Sequence, residues 1–198
     1  MSMTNYQACG VIHQFRGEAL ITNTMSAMFA ISAVSPSPLN LASVPLMGGA
    51  SCLGLGLAIA QPERQVMVLD GDASLLLELG SLAQIADVAP PKYIHFVFNN
   101  NLQFSGVANL DRPGRKLDFC AMALAAGYAS AQRIETPEDL AAAMPLLLET
   151  RGPHMVELVI KTPPKFTRAT PQPELPELQF TRMGAESRAM MEALGTIR

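Results

Sequence analysis

The feature that most constrains the fold is an alternation of short apolar runs with helical stretches. Two of these runs, Gln65–Leu69 and Tyr93–Phe98, are almost entirely apolar and flank one helix-length segment, Ser74–Asp87. Strands that are apolar on both faces are typical of a parallel sheet covered by helices on each side. The sequence therefore predicts an α/β fold with a doubly wound, mainly parallel sheet in a three-layer αβα arrangement.

The same alternation extends towards both ends of the chain. Residues Asn99–Lys116 carry Gly, Pro and Asn without a period, so a loop is predicted there. We predict one domain over residues 1–162, followed by a proline-rich C-terminal tail over residues 163–198 with a terminal helix. The further predicted strands are Ala19–Thr22, Leu39–Val44, Tyr128–Ile134 and His154–Ile160. The further predicted helices are Thr4–Phe15, Met25–Val34, Gly48–Ala60, Leu117–Ala126, Pro137–Glu149 and Gly184–Leu194.

The composition excludes several classes of protein. The net charge is −3 and the basic residues form no cluster, so neither nucleic acid nor an anionic membrane is an expected partner. No uncharged stretch is long enough for a membrane span. Cys9, Cys52 and Cys120 are scattered and odd in number, and no basic region precedes an apolar run at the N-terminus, which together favour a cytoplasmic protein. Because 49% of the residues are hydrophobic, we expect a partner to cover part of the surface.

Polar side chains follow both central strands at the point where each strand ends. Asp72 lies just past the Gln65–Leu69 run, and Asn100 just past Tyr93–Phe98. Ligands of open parallel sheets bind beyond the carboxyl ends of the strands, and Mg²⁺ prefers oxygen ligands together with phosphate oxygens. Asp72, Asn100 and the Leu102 carbonyl would supply such a set. The alternative is an ordinary Gly-Asp turn and a polar loop, which each fragment alone would favour.

The spacing of these residues resembles a known family. Gly71-Asp72-Ala73, then a helix and a strand, then Asn99-Asn100, is similar to the thiamin diphosphate (ThDP) motif of ThDP-dependent enzymes. The resemblance covers residues 18–160 in element order and is strongest to the small beta subunits of sulfopyruvate and phosphonopyruvate decarboxylases. Residues Met47–Gly71 also resemble benzoylformate decarboxylase. The resemblance implies the diphosphate-binding domain of such an enzyme.

The resemblance also implies a role for each residue at a matching position. Asp72 and Asn100 would bind Mg²⁺ through their side chains, and Leu102 through its backbone carbonyl. Met47 would support ThDP in its bent conformation, and the Met47 N–H and the Pro45 carbonyl would contact the aminopyrimidine ring. The residues expected along the diphosphate are Thr24, Ser26, Gly71, Ala73 and Ser74, with Asn23 as a further candidate nearby.

Two positions depart from the family pattern. Ala73 stands where the family has a second glycine, and its methyl group would restrict the backbone to negative φ and crowd the diphosphate. The stretch Asn101–Phe104 differs from the His- and Asp-containing stretch of the phosphonopyruvate enzymes. The first departure bears on cofactor affinity, and the second leaves the specific substrate open.

One functional group of the family has no counterpart in this sequence. In the family, a glutamate from a separate pyrimidine-binding domain activates ThDP, and this chain has the length of only one such domain. Glu18 and Glu78 are the nearest acidic candidates, and we interpret both as structural or surface residues. The resemblance therefore implies a pyrimidine-domain (alpha) subunit as partner, in a heterodimer or a higher heteromer.

The histidines and glycines have simpler interpretations. His95 and His154 lie in predicted strands and are expected to be structural, whereas His13 is expected at a surface or a subunit contact. Gly54 and Gly56 lie within a helical stretch and lack the full dinucleotide-binding pattern, which argues against an NAD site.

The hypothesis that follows is a subunit of a ThDP-dependent 2-oxo acid decarboxylase with a sulfopyruvate-like or phosphonopyruvate-like substrate. One alternative is a subunit of a ThDP-dependent carboligase or of a 2-oxo acid oxidoreductase. Another is a non-catalytic structural or regulatory subunit, in which case Ala73 would indicate that the chain has lost catalysis. An anionic substrate needs a basic contact, and the sequence does not select among the candidates Arg112, Arg115, Lys116 and Arg182.

Overall fold

Six parallel strands form the central sheet of this protein, in the order β2-β1-β3-β4-β8-β7. The computed structural model describes residues 3–43, 47–104, 109–164 and 178–197, with only the backbone of residues 178–181. The strands are β1 Leu20–Asn23, β2 Asn40–Ala42, β3 Val66–Gly71, β4 Tyr93–Asn99, β5 Leu102–Phe104, β6 Asn109–Asp111, β7 Ser130–Ile134 and β8 His154–Val159. The helices are α1 Asn5–Phe15, α2 Met25–Val34, α3 Gly49–Ala60, α4 Asp72–Leu77, α5 Ser81–Val88, α6 Phe119–Ala126, α7 Pro137–Glu149 and α8 Leu178–Ala193.

Helices cover both faces of the sheet, as the predicted αβα arrangement requires. Successive side chains of a strand point to opposite faces, and β3 shows this directly. Met67 and Leu69 join a core with residues of α1, α2 and α7, whereas Val66 and Val68 join a second core with residues of α3, α5 and α6. The side chains on both faces of β3 are buried. This explains why the strand is apolar at successive positions instead of alternating between apolar and polar residues.

The pairing of β3 with β4 determines where the functional residues meet. The two strands are parallel, with Val66 opposite Tyr93 and Gly71 opposite Phe98. Both strands therefore end at the same edge of the sheet, and the residues that follow them lie side by side.

Two predicted segments differ from the structure. The expected helix Ser74–Asp87 is two helices, α4 and α5, because the chain turns between them at Glu78, whose backbone leaves the helical region. The expected loop Asn99–Lys116 contains an antiparallel hairpin of β5 and β6. Three-residue strands that pair only with each other are too short to produce a periodic apolar pattern, so the sequence did not reveal them.

The terminal helix α8 covers the edge strand β2. Glu186 accepts a hydrogen bond at 2.6 Å from the Ala42 N–H, and Met190 is buried. An uncovered edge strand would present unpaired backbone groups, so Glu186 takes the place of a neighbouring strand here. Residues 165–177 of the predicted tail lie outside the described part of the chain. In the part that is described, no helix combines the length and the apolar character that a membrane span requires.

The close packing of α3 on the sheet gives the first testable prediction. A Cβ atom added at Gly54 would clash with Val68 and would lie 2.9 Å from Thr22 Oγ1, whereas one added at Gly56 would have no neighbour within 4 Å. Gly54→Ala should therefore lower the free energy of unfolding by about 1–3 kcal/mol, because overpacking forces the core apart. Urea-induced unfolding measures this change.

Gly56→Ala is the matched control, since it makes the same substitution on the same helix. It should raise the free energy of unfolding by about 0.5–1 kcal/mol, because alanine favours helix where it meets no clash. Equal effects of the two substitutions would contradict the packing described here.

Candidate functional site

Asp72 and Asn100 lie next to each other at the carboxyl edge of the sheet. Asp72 is the first residue of α4, directly after β3, and only 2% of it is exposed. Asn100 follows β4 directly. The two ends are joined by a hydrogen bond of 3.1 Å from the Asn101 N–H to Asp72 Oδ2. The structure thus bonds Asp72 to the residue next to Asn100, so the two proposed metal ligands lie at the same edge of the sheet.

The three asparagines form a turn held by their own side chains. Asn99 Oδ1 accepts from the Asn101 N–H at 3.2 Å, and Asn100 Oδ1 accepts from the Leu102 N–H at 2.9 Å. Asn101 has a φ of 60°, a left-handed conformation that asparagine tolerates better than most residues. Leu102 begins β5 and is buried. The turn therefore fixes Asn100 and Leu102 relative to Asp72.

A buried glutamate on β8 is hydrogen-bonded to this turn. Asn99 Nδ2 donates a hydrogen bond of 2.6 Å to Glu157 Oε1, and Glu157 is 2% exposed on β8. Sequence analysis did not single out Glu157, although an acidic residue inside an otherwise apolar strand was a visible signal. Because Asn99 also accepts from the Asn101 N–H, the Glu157 carboxylate is connected through one side chain to the turn that carries Asn100.

A second buried network lies beneath the Gly71–Asp72 corner. Asp70 Oδ1 accepts from the Gly71 N–H at 2.8 Å, and Asp70 Oδ2 lies 3.4 Å from His95 Nε2. His95 Nδ1 lies 3.2 Å from the Tyr128 hydroxyl, and burial raises the pKa of Tyr128 well above its usual value, so the phenol stays neutral. His95 is thus a fully buried and hydrogen-bonded histidine, as the sequence predicted, and Asp70 holds the corner that presents Asp72.

Arg112 occupies a position that the sequence did not predict. The predicted loop Asn99–Lys116 would leave Arg112 in solvent, but its side chain is 0% exposed, and Arg112 Nε lies 2.5 Å from Asp72 Oδ2. The cause is the β5–β6 hairpin, after which the Arg112 N–H pairs with the Asn101 carbonyl at 2.9 Å. Burial raises the pKa of the Asp72 carboxyl, and the Arg112 guanidinium offsets part of that rise. The Asp72 carboxylate therefore already faces one cation.

The turn before α3 is coupled to the start of α4. The Gly48 N–H donates to Ser74 Oγ at 2.7 Å, and Gly48 has a φ of 92° that favours glycine. Met47, the proposed support for the bent cofactor, is half-buried in this turn, whereas Pro45 lies outside the described residues. Ala73 lies in the first turn of α4, and its φ is not positive. Its backbone conformation here therefore does not require glycine.

The backbone is irregular at the start of α2, where Thr24 and Ser26 are proposed to contact the diphosphate. Thr24 precedes α2 without capping it, and its hydroxyl donates to the Ser43 carbonyl at 3.3 Å. Met25 has a φ of 50°, which is strained for a residue with a side chain. Asn23 is buried, and its Oδ1 has no hydrogen-bond partner among the described residues. Ser26 is half-buried one residue further on. This segment combines backbone strain with an unsatisfied polar atom, a combination that is more frequent at binding sites than in a structural core.

Of the remaining candidates, the histidines and Glu18 lie away from this edge of the sheet, whereas Glu78 lies close to the Gly48 turn. His154 Nδ1 lies 2.7 Å from Ser130 Oγ, in a structural role, and His13 contacts Ser35. Glu18 is exposed before β1, at the opposite edge of the sheet. Glu78 is also exposed, and a Cβ at Gly48 would meet its side chain.

A known protein family matches most of this chain. The family described as thiamine pyrophosphate enzyme, C-terminal TPP binding domain, matches residues 22–158. The matched range begins within β1 and ends within β8, so it spans the strands that carry the candidate site.

Two curated relatives and one solved structure extend the comparison. The chain is 33% identical to a phosphonopyruvate decarboxylase of Streptomyces viridochromogenes over 148 residues, which cover 74% of this chain and 36% of that protein. It is 24% identical to the sulfopyruvate decarboxylase subunit beta of Methanococcus maripaludis, covering 79% of this chain and 83% of that subunit. The thiamine diphosphate-dependent 4-hydroxybenzoylformate decarboxylase of Rhodococcus jostii has the same fold, with a TM-score of 0.69 at 20% identity, over 82% of this chain and 33% of that chain.

The Glu157–Asn99 contact gives a prediction about the turn. Glu157→Leu leaves Asn99 Nδ2 buried without an acceptor, so the free energy of unfolding should fall by about 1–3 kcal/mol. The Asn101 amide should then exchange its hydrogen faster, which NMR measures residue by residue.

Glu157→Gln is the matched control, because it removes the charge but keeps an acceptor oxygen. It should preserve slow exchange at Asn101. If the Gln variant lost protection as strongly as the Leu variant, the hydrogen bond would not be what holds the turn.

Proposed function

We propose that this chain is the diphosphate-binding subunit of a heteromeric ThDP-dependent 2-oxo acid decarboxylase. The premise is that the chain belongs to the thiamine pyrophosphate enzyme family through that family's C-terminal TPP-binding domain. The observation that carries the proposal is the adjacency of Asp72 and Asn100 at the ends of β3 and β4. A carboxylate and an amide oxygen at this point form a donor set suited to Mg²⁺ bound to a diphosphate.

The residues present fit a metal and a diphosphate. The buried Asp72 carboxylate is paired with a cation, the Arg112 guanidinium. A positive charge is therefore favourable next to this carboxylate. Within the described part of the chain, Asn100 Oδ1 accepts one hydrogen bond, from the Leu102 N–H, which leaves a second acceptor direction for a metal. Asp72, Asn100 and the Leu102 carbonyl would hold Mg²⁺, and Thr24, Ser26, Gly71, Ala73 and Ser74 would lie along the diphosphate, with Asn23 a further candidate.

When bound, ThDP supplies the carbon nucleophile and the electron sink that decarboxylation of a 2-oxo acid requires. The chain's own contribution is to bind and orient. Asp70 and Glu157 hold the two corners that carry the metal ligands. Ser74 ties the Met47–Gly48 turn to α4, so Met47 keeps a fixed register to Asp72. Met47 would support the bent cofactor from this turn.

The relatives named phosphonopyruvate and sulfopyruvate decarboxylase support a 2-oxo acid with an anionic tail as substrate. Three of the four basic residues considered for such a tail have an acidic partner: Arg112 pairs with Asp72, Arg115 with Asp111 and Arg182 with Glu186. Lys116 is exposed after the hairpin, and we take it as the candidate.

Three observations support a second polypeptide. Glu18 and Glu78 are both exposed, and neither replaces the family's activating glutamate in our interpretation. The chain spans about a third of the phosphonopyruvate decarboxylase that it matches, whereas it covers most of a sulfopyruvate decarboxylase subunit beta. The outer face of α3 is also free of charged residues, with Ile59 59% exposed. A pyrimidine-domain (alpha) subunit would supply the glutamate.

Product analysis separates the decarboxylase from the other catalytic alternatives. An aldehyde product supports a decarboxylase, an acyloin a carboligase, and an acyl-CoA an oxidoreductase. The non-catalytic alternative rests on Ala73, whose backbone conformation does not by itself argue against cofactor binding.

The metal assignment gives a prediction about Asp72. Asp72→Asn keeps the shape of the side chain but removes its charge, and it should weaken Mg²⁺-dependent ThDP binding by at least about a hundredfold, since even hydrogen-bond partners of metal ligands contribute ~10–100-fold. Calorimetric titration with ThDP and Mg²⁺, in the presence of the partner, measures the affinity. Asp72→Ala should have the same effect on affinity, together with a loss of stability because Arg112 would be left buried and unpaired. Unchanged affinity in both variants would remove Asp72 from the site.

The partner gives a separate prediction about activity. The purified chain with ThDP and Mg²⁺ should not release CO₂ from 2-oxo acids, and an alpha subunit should restore turnover. Robust turnover by the chain alone would overturn the heteromeric proposal. In that case, Glu78→Gln would show whether this exposed glutamate near the Met47 turn supplies the missing carboxylate.

A further inference from the structure

Arg112 is the most thoroughly buried cation of the described chain. Its Nε binds Asp72 Oδ2, its Nη2 lies 3.2 Å from Asn101 Oδ1, and its Nη1 donates to the Pro113 and Gly114 carbonyls at 2.9 and 3.1 Å. The guanidinium carbon lies 5.2 Å from the centre of the Phe119 ring. Each of its three nitrogens has a protein partner. The Arg112–Asp72 contact is therefore a buried and fully hydrogen-bonded ion pair and not an accidental surface pair.

This guanidinium stands among the oxygen atoms that we propose for Mg²⁺. It shares Asp72 Oδ2 with the Asn101 N–H, and it also contacts the side chain of Asn101, the neighbour of Asn100. Mg²⁺ binds oxygen at about 2.0–2.1 Å and demands near-ideal geometry. The guanidinium at 2.5 Å and the Asn101 N–H together occupy the lone pairs of Oδ2, so Mg²⁺ could bind this oxygen only by displacing one of them. On Oδ1, Mg²⁺ would share one carboxylate with the guanidinium. Two cations at this separation would also repel each other in a buried site.

We propose that Arg112 is an internal counter-cation of Asp72 that competes with the divalent metal ion. The inference rests on the proposed function in one respect, that Asp72 is the metal ligand. Without metal, Arg112 neutralises a carboxylate that is costly to bury alone. With metal, the guanidinium releases Asp72, so part of the binding free energy of the metal is spent on breaking this pair. The chain therefore binds divalent metal more weakly than its oxygen ligands alone would allow.

The rival role for Arg112 predicts a change of the opposite sign. If Arg112 contacted the cofactor diphosphate directly, removing its charge would weaken binding of metal and ThDP together. If it competes with the metal, removing its charge strengthens metal binding. The direction of the change in affinity therefore decides between the two roles.

The test uses Mn²⁺ as a paramagnetic probe of the full chain, without ThDP. In Arg112→Gln, the affinity for Mn²⁺ measured by electron paramagnetic resonance should rise about tenfold, within the usual range of coupling between two binding events. Arg115→Gln is the matched control, because it removes the same charge from an exposed residue close by and should leave the affinity unchanged. Unchanged or weaker Mn²⁺ binding by Arg112→Gln would overturn the proposal.

A second measurement covers the case in which Arg112→Gln does not fold. In the wild-type chain, the Nε–H resonance of Arg112, assigned from its backbone, should shift and exchange faster with water when Mg²⁺ and ThDP are added. A resonance that stays unchanged at saturating ligand would show that the pair survives metal binding, and the proposal would fail.

The two proposals fail in distinguishable ways. Tighter Mn²⁺ binding by Arg112→Gln, with no ThDP binding by any variant, would support the competition and reject the ThDP function. Metal-dependent ThDP binding that weakens in Arg112→Gln would support the function and reject the competition.

Discussion

Parallel pairing of β3 with β4 is the constraint on which the rest of the site depends. With Gly71 opposite Phe98, the two strands end together, and their next residues share one edge of the sheet. A shift of this register would separate Asp72 from Asn100 and break the bond from the Asn101 N–H. The register is strongly specified, because both faces of both strands are buried against helices. The fold thus creates the site through its core.

The cost of the site is buried charge, and the chain offsets it residue by residue. Asp70 has the Gly71 N–H and His95, Asp72 has Arg112 and the Asn101 N–H, and Glu157 has Asn99. Isolated buried carboxylates would be strongly destabilising. All three acidic residues hold the corners at the strand ends, so the same hydrogen bonds that satisfy the charges also position the proposed ligands.

The sequence predicted those parts of the fold that follow from local pattern. The apolar runs of β3 and β4 gave the parallel sheet, and the positions of Asp72 and Asn100 after them gave the candidate site. Arg112 was interpreted wrongly, because its partner lies forty residues earlier in the chain and only the β5–β6 hairpin brings the two together. Glu157 was missed for a related reason, since its role depends on the neighbour that β4 provides in the folded sheet. Local pattern predicts elements, whereas the pairing of distant side chains requires the register.

A site for a removable cation has to remain stable when that cation is absent. An aspartate that is only 2% exposed would cost the fold much of its stability without a counter-charge. Arg112 meets this requirement from within the chain. It directly follows a short hairpin whose strands, as far as they are described, pair with each other and not with the central sheet. Rearranging such a hairpin breaks fewer contacts than rearranging a strand of the central sheet. Under the proposed metal assignment, a substitute cation beside this peripheral element, with Asp72 itself held by the sheet, would reconcile a stable metal-free chain with a site that accepts a metal.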